Sequence, residues 1–275
     1  MRVVNNGRLI RTRGHLGRWG TLGGFAALFG GLLYSCTTFP QRASGEVSGD
    51  PMVAMWVPWI GLVIGYMLIS LGKEPWLRFA VRPRPDEALA VNLKTLDHRA
   101  VLFNYVSAFP VDHLLVTPGG LLAIVTRPVL GDIVVQGDRY RRRRGPFGWL
   151  QFISEGALGN PGRDAQRGAD EVKAYLAQRF GAEAAERIPV APLVVFTHPR
   201  ATLSVEQPTV PTVHVREARS EVRRLTSGTK VPGDIARRLE YELVQDAAVD
   251  GAPVTVGEAV DRKPRRRLSR PTRAR

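Results

Sequence analysis

Residues 111–127 read VDHLLVTPGGLLAIVTR. Two apolar runs of strand length flank Pro118-Gly119-Gly120, a tripeptide suited to a tight reversal. An aspartate, Asp112, leads the first run, and Arg127 ends the second. The pattern predicts an antiparallel hairpin. Side chains on a strand repeat every two residues, so positions 125 and 127 share a face, and pairing brings that face beside Asp112.

Short apolar runs surround the hairpin. VLFNYV (101–106) precedes it, and DIVVQG (132–137) and RYRRRR (139–144) follow, which predicts an antiparallel meander. RYRRRR is either an edge strand with a cationic face or a basic loop. PDEALAVNLKTLD (85–97) has helical spacing at Leu89, Leu93 and Leu96, with Pro85 suited to its first turn. Asn160-Pro161 opens a second helix through Phe180, with Val172, Tyr175, Leu176 and Phe180 on its apolar face. VAPLVVF (190–196) predicts a central strand and TVPTVHV (209–215) another; residues 217–227 and 232–247 predict helices. The chain from 85 to 248 is therefore expected to be one mixed α/β domain with helices flanking one sheet.

Upstream, residues 20–38 and 52–71 contain no Asp, Glu, Lys or Arg. About 20 apolar residues span a hydrocarbon core of about 30 Å. Two such runs side by side predict a transmembrane hairpin. Arginines before an apolar run also occur in secretory signals, and LLYSC (32–36) is similar to a lipoprotein cleavage box. The long basic region, the poor fit of Tyr34 and the immediate second run weigh against that reading.

Arg2, Arg8, Arg11, Arg13 and Arg18 precede the first run, and Lys73, Arg78, Arg82 and Arg84 follow the second. The loop between the runs holds only Arg42, which predicts both ends in the cytoplasm at the plasma membrane. Gly20-x-x-x-Gly24 and Gly61-x-x-x-Gly65 allow close contact between the spans or with a second copy of the chain.

The formal charge is +14, concentrated in residues 1–19 and 262–275, which hold no acid. These ends read as basic arms, the second within a tail from 249 expected to be disordered; such arms suit anionic lipid, DNA or RNA. One cysteine, Cys36, excludes an intrachain disulfide, and five scattered histidines show no zinc-ligand spacing.

Several parts in order resemble the nuclease-related (NERD) family of the restriction-endonuclease-like, PD-(D/E)xK class. They are Asp86-Glu87 opening a helix, Asp112-His113 leading a strand, the Pro-Gly-Gly turn, Asn160-Pro161 followed by Gln166, and the strand ending VVFT (194–197). The resemblance spans residues 85–226. It implies a two-helix transmembrane hairpin followed by a restriction-endonuclease-like mixed sheet flanked by helices.

It also implies a metal-dependent phosphodiesterase in which Mg²⁺ or Mn²⁺ is held by carboxylates and polarises a phosphate. Asp112 and Glu87 match the acids that would hold the metal, and Gln166 matches a further motif residue. The Glu-x-Lys positions, however, are Val125 and Arg127. Valine cannot ligate a metal. Arginine binds phosphate but stays protonated and cannot act as a base.

The expectation is a membrane-anchored, degenerate nuclease domain that binds nucleic acid or another polyanion with little or no hydrolysis. Arg139, Arg141, Arg142, Arg143 and Arg144 are its candidate phosphate contacts. Two alternatives remain: a weak metal-dependent nuclease, and a membrane scaffold whose basic ends bind anionic lipid. Each motif residue also has an ordinary role. Asp112 suits a strand start, Glu87 complements a helix dipole, Gln166 suits an exposed helix face, His113 suits packing, and Arg127 suits a strand end.

Overall fold

The computed structural model describes residues 1–43, 51–106, 109–143, 158–249 and 257–258. The sequence VDHLLVTPGGLLAIVTR forms the expected hairpin, β3 (His113–Thr117) and β4 (Gly120–Arg127), with His113 opposite Ile124. β2 (Val101–Asn104) pairs antiparallel with β3. β7 (Val190–Phe196) lies parallel to β4 on one side and to β9 (Thr212–His214) on the other. The apolar run of 190–196 thus sits inside the sheet, as its composition predicts.

The expected meander stops after β4. Pro128 lacks a ladder donor and Gly131 sits at φ 113°, and the chain leaves the sheet there. β5 (Asp132–Gln136) and β6 (Arg139–Arg142) form a hairpin in a second, three-stranded sheet completed by β8 (Thr202–Glu206). RYRRRR therefore begins as an edge strand, and Arg144 lies outside the described residues. β8 carried little sequence signal, because four of its five residues are exposed and TLSVE has only two apolar side chains.

Two further strands correct the reading of the ends as arms. Arg2–Asn5 is β1, parallel to β2, with Val3 and Val4 buried. Gly257–Glu258, within the tail expected to be disordered, is β10, antiparallel to β1. Arginines around β1 dominate its composition, yet two adjacent valines suffice when β2 supplies the ladder. Residues 262–275 lie outside the described residues.

The main sheet has the order β10-β1-β2-β3-β4-β7-β9. One face is covered by α3 (Pro85–Leu93) and α6 (Ala218–Leu225), through Leu89, Leu93 and Val222 against Leu102, Leu115, Leu122 and Leu193. The other is covered by α4 (Pro161–Phe180) and α7 (Gly233–Val249), through Val172, Leu176, Leu239 and Leu243. Between α4 and β7 lies α5 (Ala182–Arg187). α3 ends at Leu93 rather than Asp97; Leu96 folds back, its N–H donating to the Leu93 carbonyl at 2.9 Å. Asn160 caps α4 by accepting from the Arg163 N–H at 3.1 Å.

The apolar runs lie in two long antiparallel helices, α1 (Gly7–Ala43) and α2 (Pro51–Pro75), and a π-type turn (Trp76–Ala80) follows α2. A Cβ on Gly24 would sit 2.7 Å from the Gly65 carbonyl, and one on Gly61 3.0 Å from the Ala27 carbonyl. Gly20 likewise faces Gly72. The glycines of both GxxxG patterns thus line the contact between the two helices.

Among the described residues, one helix is long and apolar enough to cross a membrane, and its candidate span begins at Trp56 within α2. The expectation of two such spans is met only in part. The first run is diluted by Gly20, Gly23, Gly24, Gly30 and Gly31 and by Thr21, Ser35 and Thr37.

Candidate functional site

The hairpin ladder ends at His113 opposite Ile124, and Asp112 lies just before it. Val125 is 2% exposed and packs with Ala165, Val194 and Phe196. It is a core residue, in contact with the helix that covers this face.

Asp112 is buried, and both its oxygens are engaged. Oδ1 accepts from the Arg78 guanidinium at 2.5 Å. Oδ2 accepts from the Thr126 backbone N–H at 2.8 Å and from its hydroxyl at 3.2 Å. The Arg127 guanidinium lies 3.9 Å away. Burial pushes the Asp112 carboxyl up, but Arg78, His113, the Thr126 N–H and Arg127 outweigh it and hold the carboxyl below its ordinary range.

Arg127 is itself shared. It donates to Asp164 on α4 and to the carbonyls of Leu158 and Thr126. His113 is fully buried; Nδ1 meets Asn104 Oδ1 at 2.6 Å and Nε2 meets Thr126 Oγ1 at 3.2 Å. Burial lowers its pKa to about 4, against the pull of Asp112, so the ring is neutral and serves packing, not ligation.

Arg78 belongs to the turn that follows α2, so the chain leaving the apolar helix closes directly on Asp112. Phe79 beside it stacks on Tyr105 at 4.9 Å, and Tyr105 on His113 at 5.1 Å. Tyr105 holds a left-handed conformation, φ 58°, and its N–H donates to the Asp112 carbonyl at 2.8 Å. Ile10 of α1 joins Phe79 and Tyr105. This junction ties both long helices to the leading end of the hairpin.

The other motif residues do not gather at Asp112. Glu87 caps its own helix: it accepts from the Arg84 N–H at 3.5 Å and pairs with Arg84 at 3.2 Å and Arg82 at 3.8 Å. The buried acid of α3 is its neighbour Asp86, 3% exposed, paired with Arg84 at 3.2 Å. Burial raises the Asp86 pKa against the effect of Arg84. Gln166 is exposed and donates to Asp170 at 3.0 Å; the α4 residue that reaches the site is Asp164.

These residues do not fit a divalent cation. Asp112 presents no oxygen without a donor, two guanidinium groups flank it, and Glu87 is committed to Arg82 and Arg84. Among the described residues, no three His, Cys, Asp or Glu side chains converge as a metal site.

On β6, Arg139 and Arg141 are exposed, as is Arg143 just after it. Arg142 lies against the Gly131 backbone, and Tyr140 turns inward to bond Thr212 at 2.9 Å. The strand thus presents alternate arginines along an open edge. Comparison of the chain with family models, with curated proteins and with solved structures found no match.

The sequence did not single out Arg78, Thr126 or Asp164. Arg78 was visible only as one juxtamembrane charge among several, and no local pattern connects it to a carboxylate 34 positions later.

Proposed function

We propose that this chain is a membrane-anchored polyanion-binding protein, built on a NERD-like frame, that binds nucleic acid without hydrolysing it. The state of Asp112 carries the reading. Where the family pattern requires a carboxylate open to a metal, this one is buried beneath Arg78 and saturated by Thr126. A guanidinium supplies fixed positive charge there but activates no water. Binding falls to the exposed arginines of β6, which suit phosphate neutralisation.

The anchor in this reading is the α1–α2 hairpin crossing the plasma membrane twice, with both ends cytoplasmic. β1 precedes α1 and pairs with β2, which follows α2. Both ends of the hairpin therefore meet one folded body, which supports their lying on the same side.

The test uses the full chain in detergent with fluorescent single-stranded and duplex oligonucleotides. Binding is expected to weaken steeply with salt. Arg139→Ser combined with Arg141→Ser should flatten the log–log salt slope by about 2. Oligonucleotides should remain intact in Mg²⁺ or Mn²⁺. Metal-dependent cleavage that Asp112→Asn abolishes would sink the proposal, as would the absence of binding.

A further inference from the structure

The main sheet has a direction relative to the hairpin. β1 runs into α1, so its carboxyl end faces the long helices. β2 is parallel to β1, β4 is antiparallel to β3 and so parallel to β2, and β7 and β9 are parallel to β4. The carboxyl ends of five strands therefore lie at the hairpin end of the sheet, where Phe79 meets Tyr105. Two loops leave the sheet there, 197–201 after β7 and 215–217 after β9.

The loops are knit together. His214 Nε2 meets the His198 carbonyl at 3.1 Å. The Arg200 N–H donates to His198 Nδ1 at 3.2 Å, the Arg216 N–H donates to His214 Nδ1 at 3.3 Å, and the Arg216 guanidinium donates to the Pro199 carbonyl at 3.4 Å. Arg200 and Arg216 are exposed, and Glu217 is the single acid in these two loops. Nearby arginines are spoken for: Arg78 by Asp112, Arg84 by Asp86 and Glu87, and Arg127 by Asp164. Arg200 and Arg216 form no ion pair among the described residues.

The level of the sheet end beside β1 follows from the helices, and the two loops lie at that same end of the sheet. The sheet end is fixed to α1 at Ile10, and the apolar stretch begins at Gly20 opposite Gly72. Ten helical residues rise about 15 Å. A headgroup layer occupies about 5–7 Å of that. The remainder is about one Debye length at physiological salt, roughly 8 Å. Between the two levels α1 carries Arg11, Arg13 and Arg18 with exposed Leu16 and Trp19, a composition suited to the interface.

We infer that the 197–201 and 215–217 loops form an anionic-lipid contact, in which Arg200 and Arg216 rest on phospholipid headgroups and hold the domain against the membrane. This rests on the membrane-spanning half of the proposed function and is independent of the nucleic-acid half.

The test places the full chain in nanodiscs of phosphatidylcholine alone and of an equal mixture with phosphatidylglycerol. Amide hydrogen exchange is read at 197–201 and 215–217. Exchange is expected to be slower in the anionic discs. The docked-to-undocked ratio should fall about fivefold for each of Arg200→Ser and Arg216→Ser, with β7 exchange unchanged as the check on folding. Arg216→Lys should retain most of the protection. Equal exchange in the two lipids overturns the inference, as does protection that survives both serine substitutions. An oligonucleotide that protects these loops when anionic lipid does not would assign the face to nucleic acid instead. A chain that fails to co-elute with discs refutes the spanning reading, and this contact with it.

Discussion

The two ends of the β3–β4 hairpin are closed by different physics. At the turn, closure is by uncharged hydrogen bonds: the Thr117 hydroxyl donates to the Gly120 carbonyl at 2.8 Å and accepts from the Gly119 N–H at 3.3 Å. The Val231 N–H donates to the Pro118 carbonyl at 2.8 Å, the Thr229 hydroxyl donates to the Gly119 carbonyl, and the Leu121 N–H donates to the Pro189 carbonyl at 2.9 Å. At the open end, closure is distant and charged. Arg78 arrives from the turn after α2, Asp164 from α4, and Asn104 from β2, and they converge on Asp112, Arg127 and His113. An uncharged hydrogen bond depends little on its surroundings. A buried charge depends on every partner, because its desolvation is offset only when all of them are present. The open end should therefore be the fragile one, and it is also the end fastened to the long helices.

The largest effect expected from that difference is at Arg78. Arg78→Met leaves Asp112 buried beside Thr126 without its main counter-charge, which should cost about 3–5 kcal/mol. Asp112→Asn in the same background removes the unpaired charge, and the double variant should lose markedly less than the two single losses added together. Urea unfolding of the full chain in detergent, followed by circular dichroism, measures each. Additive losses would mean that Arg78 and Asp112 are neighbours without being partners.

The hairpin, the central strand and the capped helix at Asn160 were legible because each is encoded within a few adjacent residues: a Pro-Gly-Gly reversal, a continuous apolar run, an Asn-Pro start. Positions 125 and 127 alternate with Thr126 on β4, and the Asp112 carboxylate turns to Thr126. What was illegible depends on convergence. Asp86 and Glu87 are adjacent acids, and sequence offered no reason why the first is buried and the second caps. Strands β1 and β8 are short and polar, and each is held by a parallel partner whose identity only the folded chain supplies. Gln166 and Asp164 differ by two positions on a helix, which is enough to turn one toward solvent and the other toward Arg127.

A second effect separates the two ends by pH. His113 is held neutral with a folded pKa of about 4, below its ordinary 6.5. The unfolded chain therefore binds the extra proton first, and stability falls as pH drops from about 6.5 towards 4. Between pH 7 and pH 5 the loss should be about 2 kcal/mol. Asp112, with its pKa lowered, contributes stability that is lost only at lower pH, below the ordinary carboxylate value. The buried Asp86 carboxyl, raised above its ordinary range, works in the opposite direction as pH falls, so the His113 part is read as the difference between the chain and its His113 variant. His113→Gln should flatten the profile between pH 7 and 5 while lowering stability at neutral pH. A profile equally steep in the variant would place the acid sensitivity elsewhere.

The smallest effect belongs to the turn. Thr117→Val keeps the side-chain volume and removes a hydroxyl that serves Gly119 and Gly120. The expected cost is about 1 kcal/mol, the net worth of a neutral hydrogen bond. It should not alter the pH profile, because no titrating group lies among these bonds. The backbone bond from Val231 remains in place, so the reversal keeps its register even without the hydroxyl. A loss as large as that of Arg78→Met would break the comparison. It would mean that the turn, too, is held by interactions that act only together, and that Thr117 carries the packing of the 226–231 segment as well as its own two bonds.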